Sequence, residues 1–327
     1  MIQQPDQLLD QTKFDQLVEH HRHELHIHCY RMMGTLDDAE DMVQETFLRA
    51  WRGRGTYEGR ASLRAWLYKI ATNVCLDALK KQPRRFIPKT REKASSATDP
   101  IPPSVTDPIW LDPYPDEWLM GHEDTPEDTI ISQENITMAF IVALHLLPPR
   151  QRAILILSDV FDWQASEVAL ALDTTPSAVK SALHRARATL TQQGQAQTPF
   201  SGDVEQTILD TYIQAWQTGD VTALIGLLTD EATFSMPPIP SWYRGRENIR
   251  NLISKTIFTG QANGRWRLLP TRANRQIAFG LYRYSEADGV YMAYGIQLVT
   301  FEGHLIGDII TFRHPSLMAH FRLPTTL

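Results

Sequence analysis

The chain has 327 residues and a mass of 37.3 kDa, which favours two or three domains, and its 43% hydrophobic and 21% charged residues are typical of a folded protein. The net charge of −6 argues by itself against a nucleic-acid binder, but the whole surplus lies in residues 83–135, whereas residues 12–82 and 136–199 each carry +1. No apolar run reaches the roughly 18 residues of a membrane span. The two distant cysteines, Cys29 and Cys75, exclude a disulfide framework or an ordinary zinc site. We therefore expect a cytoplasmic protein without metal or cofactor.

Two groups of helices are predicted by apolar residues at three- and four-residue spacing, namely 14–33, 36–52 and 62–81, and then 136–147, 150–158, 166–172 and 176–191. The segment 83–135 between them holds nine of the chain's 20 prolines, and it carries ten acids without Lys or Arg from Ala94 to Asn135. Such a composition predicts a linker. The run Trp110–Leu119 is too aromatic for a spacer, so we expect it to dock on another surface.

The last part of the chain follows a different pattern after a Gln/Gly/Pro break at 192–202. Two helices are predicted at 204–218 and 221–228 and a third near 246–257, and β-type runs follow at 265–284, 290–301 and 304–313. Residues 200–327 contain 11 basic and 11 acidic residues. This part is therefore expected to add no DNA affinity of its own.

The motif with the strongest signal is a helix-turn-helix in residues 166–190. Thr175 can cap the second helix and Pro176 suits its first position. Polar and cationic residues of that helix fall away from its apolar face: Ser177, Lys180, Ser181, His184, Arg185 and Arg187. Taken alone, the pattern fits either a DNA-reading helix or a helical hairpin with a solvated face.

Two further surfaces stand out, and each also has a structural interpretation. The helix at 62–81 and the loop before it carry a line of cations with an aromatic and an amide, which suits nucleic acid or a solvated helix face: Arg54, Arg60, Trp66, Lys69, Asn73 and Lys80. The start of the 36–52 helix is crowded with acids, which suits the helix dipole or a docking face for a basic protein: Asp37, Asp38, Asp41, Gln44, Glu45 and Phe47.

These motifs resemble a known family. The runs Asp38–Trp51 and Leu63–Asn73 resemble region 2 of extracytoplasmic-function (ECF) sigma factors, and Leu146–Leu190 resembles their region 4. The two modules occur in the expected order and cover about 125 of the 327 residues. The resemblance implies that the acidic helix binds core RNA polymerase (the β′ coiled coil and the β subunit). It also implies that region 2 reads the −10 element of promoter DNA and region 4 the −35 element.

The tail looks like a SnoaL-like or nuclear-transport-factor-like domain, an α+β cone around a pocket, and Trp110–Leu119 looks like a linker signature of sigma factors that carry it. A small-molecule ligand would then meet five side chains that otherwise fill the core: Tyr212, Trp216, Phe234, Met236 and Trp242. Aligned with a ketosteroid isomerase, Tyr212 matches the oxyanion-hole tyrosine, but Met236 stands where the general base belongs. Asp308 and His314 remain as candidates for cyclase-like or hydrolase-like chemistry.

The sequence thus predicts a multidomain protein with two all-α sigma modules and an α+β regulatory domain: region 2 at 12–82, the linker at 83–135, region 4 at 136–192 and the SnoaL-like domain at 203–327. Two alternatives stay open. One is a sigma factor fused to an active enzyme domain, which Met236 disfavours. The other is a helix-turn-helix repressor, which the acidic helix disfavours.

Overall fold

The structure is a computed structural model that describes residues 11–57, 59, 62–90, 92–105, 110–119, 136–192, 203–260 and 262–327. The chain divides into two compact units. The first comprises Met1–Phe86 with Trp118–Gln195, and the second comprises Ile87–Glu117 with Ala196–Leu327. None of the described helices is long and apolar enough to cross a membrane. Within the same residues, no cluster of three or more His, Cys, Asp or Glu side chains could hold a metal ion.

The described residues of the first unit are mainly helical. Its first group comprises α1 (Gln11–Glu19), α2 (Arg22–Met33), α3 (Leu36–Gly53) and α4 (Leu63–Leu79). Its second group comprises α5 (Met138–Leu146), α6 (Pro149–Leu155) continued by a π-helical turn Ile156–Val160, α7 (Ala165–Ala171) and α8 (Pro176–Gln192). The predicted helix 14–33 is thus two helices, interrupted at His20–His21. Helix α2 ends where Gly34 adopts a φ of 88°.

A buried arginine joins the two helical groups of this unit. The Arg152 guanidinium donates to the backbone oxygens of Leu144 (3.0 Å), Leu147 (3.4 Å) and Met32. Met32 lies in the last turn of α2, where carbonyl groups lack intrahelical partners and a cation is favourable. Burial, aided by the charge of Arg84, lowers the pKa of Arg152 to about 9, so the group stays charged at neutral pH.

His28 of α2 is buried as a neutral side chain. The Thr72 hydroxyl donates to the Tyr68 backbone oxygen (2.7 Å), so His28 Nε2 must be the donor in its 2.9 Å bond to Thr72 Oγ1. Burial, with the charge of Arg31, lowers the pKa of His28 to about 3. Burial also lowers the pKa of His145.

We expect acid to destabilise the first unit through His28. Below its unfolded pKa of about 6.5 the unfolded state binds the proton and the folded state does not, so the free energy of unfolding falls as pH drops. At about pH 5 the loss from His28 is on the order of 2 kcal/mol. Urea unfolding of wild type and His28→Gln at about pH 5 and pH 7.5, followed by far-ultraviolet circular dichroism, measures it. An equal pH dependence in both proteins would contradict the assignment.

The second unit is an α+β domain around one sheet. Its helices are α9 (Asp203–Thr218), α10 (Val221–Gly226), α11 (Arg246–Leu252) continued by the π turn Ile253–Ile257, and α12 (Leu317–His320). Its strands are β1 (Leu228–Ser235), β2 (Trp242–Arg244), β3 (Trp266–Ala273), β4 (Gln276–Ser285), β5 (Val290–Glu302) and β6 (Leu305–Phe312). The order in the sheet is β2-β1-β6-β5-β4-β3, with β1 and β6 parallel and the other pairs antiparallel.

Two features of this sheet differ from the sequence expectation. The predicted run 265–284 is a hairpin, because Asn274 and Arg275 form a two-residue turn with φ values of 52° and 59°. Apolar alternation continues across so short a turn, so periodicity alone does not reveal it. Strands β1 and β2 were not predicted, since β2 has three residues and β1 exposes Asp230 and Glu231 at its centre.

Much of the predicted linker belongs to the second unit. Ser95 N donates to Trp242 O (2.8 Å), Trp242 Nε1 donates to Glu92 O (2.8 Å), and the Asn248 amide bonds to the backbone of Ser95 and Ala97. Farther along, three side chains of the segment are buried in this unit: Trp110, Leu111 and Tyr114. The predicted linker is therefore attached to the second unit at 92–97 and buried in it at 110–114.

The aromatic run ends in the first unit. Asn274 holds Tyr114 from both sides in the second unit, accepting from Tyr114 N and donating its own N–H to Tyr114 O, each at 2.8 Å. Trp118 instead belongs to the first unit, where its ring lies edge-on to His26 at 5.3 Å. The chain thus passes from one unit to the other at Glu117–Trp118.

Candidate nucleic-acid interface

Helix α3 turns a mixed acidic and apolar strip to solvent. The residues at i, i+4, i+7 and i+11 are exposed: Asp37, Asp41, Gln44 and Leu48. The opposite face packs into the unit through Ala39, Val43 and Ala50. Leu48 is 51% exposed. It escaped the sequence analysis, although an apolar residue placed off the apolar face of a helix is the signal that could have found it.

Three of the other residues predicted on this face have partners within the first unit. The Arg85 guanidinium binds the Asp38 carboxylate, and Arg49 donates to Glu45 at 2.7 Å. The Phe47 ring lies 5.0 Å from the guanidinium carbon of Arg22. Asp41 makes no hydrogen bond or ion pair within the described part of the chain. Asp41 is therefore the carboxylate best placed to meet a partner protein.

The polar face of α4 meets the end of α7. Lys69 Nζ donates to Leu170 O (3.3 Å), Asn73 Nδ2 donates to Ala171 O (3.4 Å), and Arg150 donates to Leu172 O. The last carbonyl groups of a helix have no intrahelical partners, so these donors cap α7. Two residues predicted to contact DNA are thus engaged by the helix-turn-helix module.

A cleft of about 680 Å³ lies beside this contact. One side of the cleft is lined by residues of α4, including Trp66, Lys69, Ile70 and Asn73. Trp163 and Leu170 line the other side. Tyr57 packs on Trp66 with ring centroids 5.2 Å apart. The structure therefore brings Trp66, Lys69 and Asn73 to one aromatic and polar surface.

Two of the remaining residues predicted for this surface, Arg54 and Lys80, do not join it. The Arg54 guanidinium stacks on the Trp51 ring at 3.4 Å and donates to Trp51 O at 2.7 Å. Lys80 forms an exposed ion pair with Asp77 at 2.7 Å. Arg60 lies outside the described residues.

The helix-turn-helix geometry follows from local sequence signals. Thr175 Oγ1 accepts a hydrogen bond from Ala178 N (3.2 Å), and Pro176 opens α8. Asp173 adopts a φ of 47° in the turn, a conformation that Asp tolerates better than most side chains. Val179, Ala182 and Ala186 are buried against the unit, whereas all six predicted DNA-contacting residues are exposed: Ser177, Lys180, Ser181, His184, Arg185 and Arg187.

One of these six is held by a carboxylate. The Arg187 guanidinium forms two hydrogen bonds to Asp159, at 2.9 Å and 2.6 Å, and these bonds raise the pKa of Arg187. Lys180 and Arg185 form no side-chain hydrogen bond or ion pair with the described residues. The cations of α8 best placed to contact DNA are therefore Lys180 and Arg185.

The pocket candidates of the second unit fill its core. Tyr212, Trp216, Phe234 and Met236 are buried in one hydrophobic cluster. The Tyr212 hydroxyl donates to Gln297 Oε1 at 2.7 Å, and burial raises its pKa. Trp242 lies apart from this cluster and binds the 92–97 segment instead.

Both titratable candidates near the end of the sheet, Asp308 in β6 and His314 two residues after that strand, have side-chain partners. The Asp308 carboxylate accepts hydrogen bonds from Lys89 and from the Thr233 hydroxyl. His314 is exposed and its Nδ1 lies 2.6 Å from Ser316 Oγ. Lys89 comes from the predicted linker, a partner that sequence spacing gives no means of finding.

Comparisons with known proteins match each part of the chain. Sigma-70 region 2 matches residues 17–85, Sigma-70 region 4 matches 137–190, and a SnoaL-like domain matches 209–309. The ECF RNA polymerase sigma factor SigG of Mycobacterium tuberculosis is 38% identical over 321 residues, which cover 96% of this chain and 85% of the relative. SigW of Bacillus subtilis is 25% identical over 184 residues, covering 56% of this chain and 90% of SigW.

A solved structure has the same fold. The crystal structure of the M. tuberculosis extracytoplasmic function sigma factor SigJ superimposes with a TM-score of 0.60 at 21% sequence identity. The match covers 95% of this chain and 99% of that chain. Together with the six-stranded α+β unit, it confirms the predicted fold class.

Proposed function

This chain belongs to the ECF RNA polymerase sigma factors and acts in transcription initiation, and on that premise we propose which of its surfaces bind core polymerase and promoter DNA. The α3 strip with Asp41 and Leu48 binds core RNA polymerase. The α4 face with Lys69 and Asn73 reads the −10 element, and α8 reads the −35 element. The observation that carries the assignment is that an exposed acid on α3 (Asp41) and exposed cations on α8 (Lys180 and Arg185) have no side-chain partner among the described residues, as a protein contact and a DNA contact require.

The contact between α4 and α7 supports a second proposal about the same surface. The end of α7 lies against Lys69 and Asn73, so a DNA strand that reaches both side chains would displace α7 from α4. The two bonds are long, at 3.3 and 3.4 Å, and therefore weak enough to exchange for DNA or polymerase contacts. The bond from Arg152 to the Met32 backbone oxygen joins the two helical groups and would have to break in the same opening, whereas Leu144 and Leu147 belong to the same group as Arg152.

We propose that the C-terminal domain modulates the sigma factor by holding the segment between regions 2 and 4. The docked stretch Ile87–Glu117 could span roughly 100 Å if fully extended, at about 3.3 Å per residue. While the segment is docked on the C-terminal domain, it cannot extend over that distance. Three sets of contacts support this role, namely Lys89 with Asp308, the Asn248 amide with Ser95 and Ala97, and Asn274 with Tyr114.

Releasing the segment tests the regulatory role better than removing the domain. A truncation at residue 199 would leave Trp110, Leu111 and Tyr114 without the surface that buries them. Trp110→Ala with Tyr114→Ala should instead undock the segment while the domain remains, because truncating a buried aromatic costs about 3–5 kcal/mol. We expect transcription with core polymerase to change several-fold and protease cleavage within 87–117 to accelerate.

The matched control is Trp118→Ala, which removes an aromatic of the same run from the first unit. It should leave cleavage within 87–117 at the wild-type rate. Faster cleavage in the double variant without any change in transcription would refute the regulatory role and leave the sigma function untouched.

A further inference from the structure

Two arginines lie at the same end of the sheet in the second unit. Arg283 lies near the end of β4, and Arg313 directly follows β6. The guanidinium carbon of Arg313 is 5.1 Å from the ring centroid of Tyr294 in β5. Neither arginine forms a salt bridge with any described carboxylate. Arg313 Nε is buried and has no hydrogen-bond partner within the same residues.

An aromatic surface lies beside these cations. The Tyr294 ring packs edge-on against Trp266 of β3, with centroids 5.0 Å apart and an angle of 84°. Trp266 is the register partner of Arg283, so the two side chains leave the sheet on the same face. Trp266 is part of the hydrophobic core, and Tyr294 packs against it. The charged pair therefore borders an apolar, aromatic face.

Arg283 and Arg313 give the cluster a positive charge. Burial raises the pKa of Tyr294, and the charges of Arg313 and Arg283 oppose the rise. Two like charges next to one buried ring repel each other, and an anion between them would remove that repulsion. A guanidinium pair also matches the two oxygens of a carboxylate.

We propose that Arg283, Arg313 and Tyr294 form a binding site for a small aromatic carboxylate. The carboxylate would accept hydrogen bonds from the two guanidinium groups, including Arg313 Nε–H, which has no partner among the described residues, and the ring of the ligand would pack beside the partly buried ring of Tyr294. The net charge of zero in residues 200–327 favours a small anion over a nucleic-acid strand, which needs a wider basic surface.

Titration of the full-length chain with 2-naphthoate, followed by isothermal calorimetry, tests the site. We expect saturable binding, and we expect the neutral isostere 2-naphthamide to bind at least about tenfold more weakly, since charge-assisted hydrogen bonds are lost. Arg283→Met and Arg313→Met should each weaken naphthoate binding by about tenfold or more. Thermal melting of each variant checks its fold, and exposed Arg283 is the substitution that the fold tolerates best.

The matched control is Arg267→Met. Arg267 neighbours Trp266 in β3 and so points to the other face of the sheet, where its guanidinium carbon lies 5.3 Å from the Tyr291 ring. This variant should bind naphthoate like wild type. Equal affinity for naphthamide, retained affinity in Arg283→Met, or no naphthoate binding would overturn the proposal. Inorganic phosphate binding as tightly as naphthoate would contradict the aromatic half of the site.

These outcomes are independent of the regulatory role proposed above. If 2-naphthoate binds without any effect on transcription, the proposed binding site stands, and the result counts against a regulatory use of that site. A ligand shifts the activity only if the docked and released forms bind it with different affinity.

Discussion

Asp41→Lys should abolish stable binding to core RNA polymerase. The Asp41 carboxylate is exposed, lies at the centre of the α3 strip and has no partner in the described residues, so a basic polymerase surface would be its counter-charge. Reversing one charge of a desolvated interface pair costs about 2–5 kcal/mol, or about 30-fold to several thousand-fold in affinity. Pull-down or surface-binding measurements with core polymerase give the affinity.

The fold should be unaffected, because the substitution breaks no contact of the described chain. Far-ultraviolet circular dichroism of the variant is expected to match wild type. The control is Glu286→Lys, which makes the same charge change at an exposed turn of the C-terminal domain. Wild-type affinity in Asp41→Lys, or an equal loss in Glu286→Lys, would show that the α3 strip is wrongly placed.

Arg185→Ala and Lys180→Ala should each weaken recognition of the −35 element. Both side chains are exposed on α8 and make no competing bond within the described residues. A lost base contact costs about 1–3 kcal/mol, roughly 5-fold to 150-fold, and it acts on one position of the promoter. A lost phosphate contact instead weakens binding to all sequences and reduces the dependence on salt. Transcription from a matched promoter and its −35 substitutions, at two salt concentrations, distinguishes the two.

Arg187→Ala is the comparison variant on the same helix. Asp159 holds the Arg187 guanidinium with two hydrogen bonds. Removing the Arg187 side chain should therefore lower the melting temperature and leave promoter discrimination close to that of wild type. A loss of −35 discrimination in Arg187→Ala as large as that in Arg185→Ala would contradict this division of roles.

Local signals carried most of the sequence prediction. The helix-turn-helix is set by neighbouring residues, with Thr175 as the cap, Pro176 at the first position and apolar Val179 facing inward. Asp37, Asp41 and Gln44 on the exposed face of α3 follow from helical periodicity in the same way, whereas Leu48 was missed. Such features need no knowledge of which distant segments meet.

Long-range contacts account for what the sequence did not reveal. Lys69 meets Leu170, Lys89 meets Asp308 and Asn274 meets Tyr114, each across roughly 100 residues or more. Composition identified the proline-rich segment as a linker, and its aromatic run indicated a docking surface. Which surface buries it depends on distant partners such as Asn274, which no spacing in the segment itself encodes.

The most direct test is transcription of a randomised promoter library by core polymerase and the full-length chain, with sequencing of the transcribed templates. Two enriched motifs at a fixed spacing are expected. Arg185→Ala should alter the upstream motif alone, and Asn73→Ala should alter the downstream motif alone. No enriched motif, or both variants altering the same motif, would contradict the assignment of α8 and α4 to the two promoter elements.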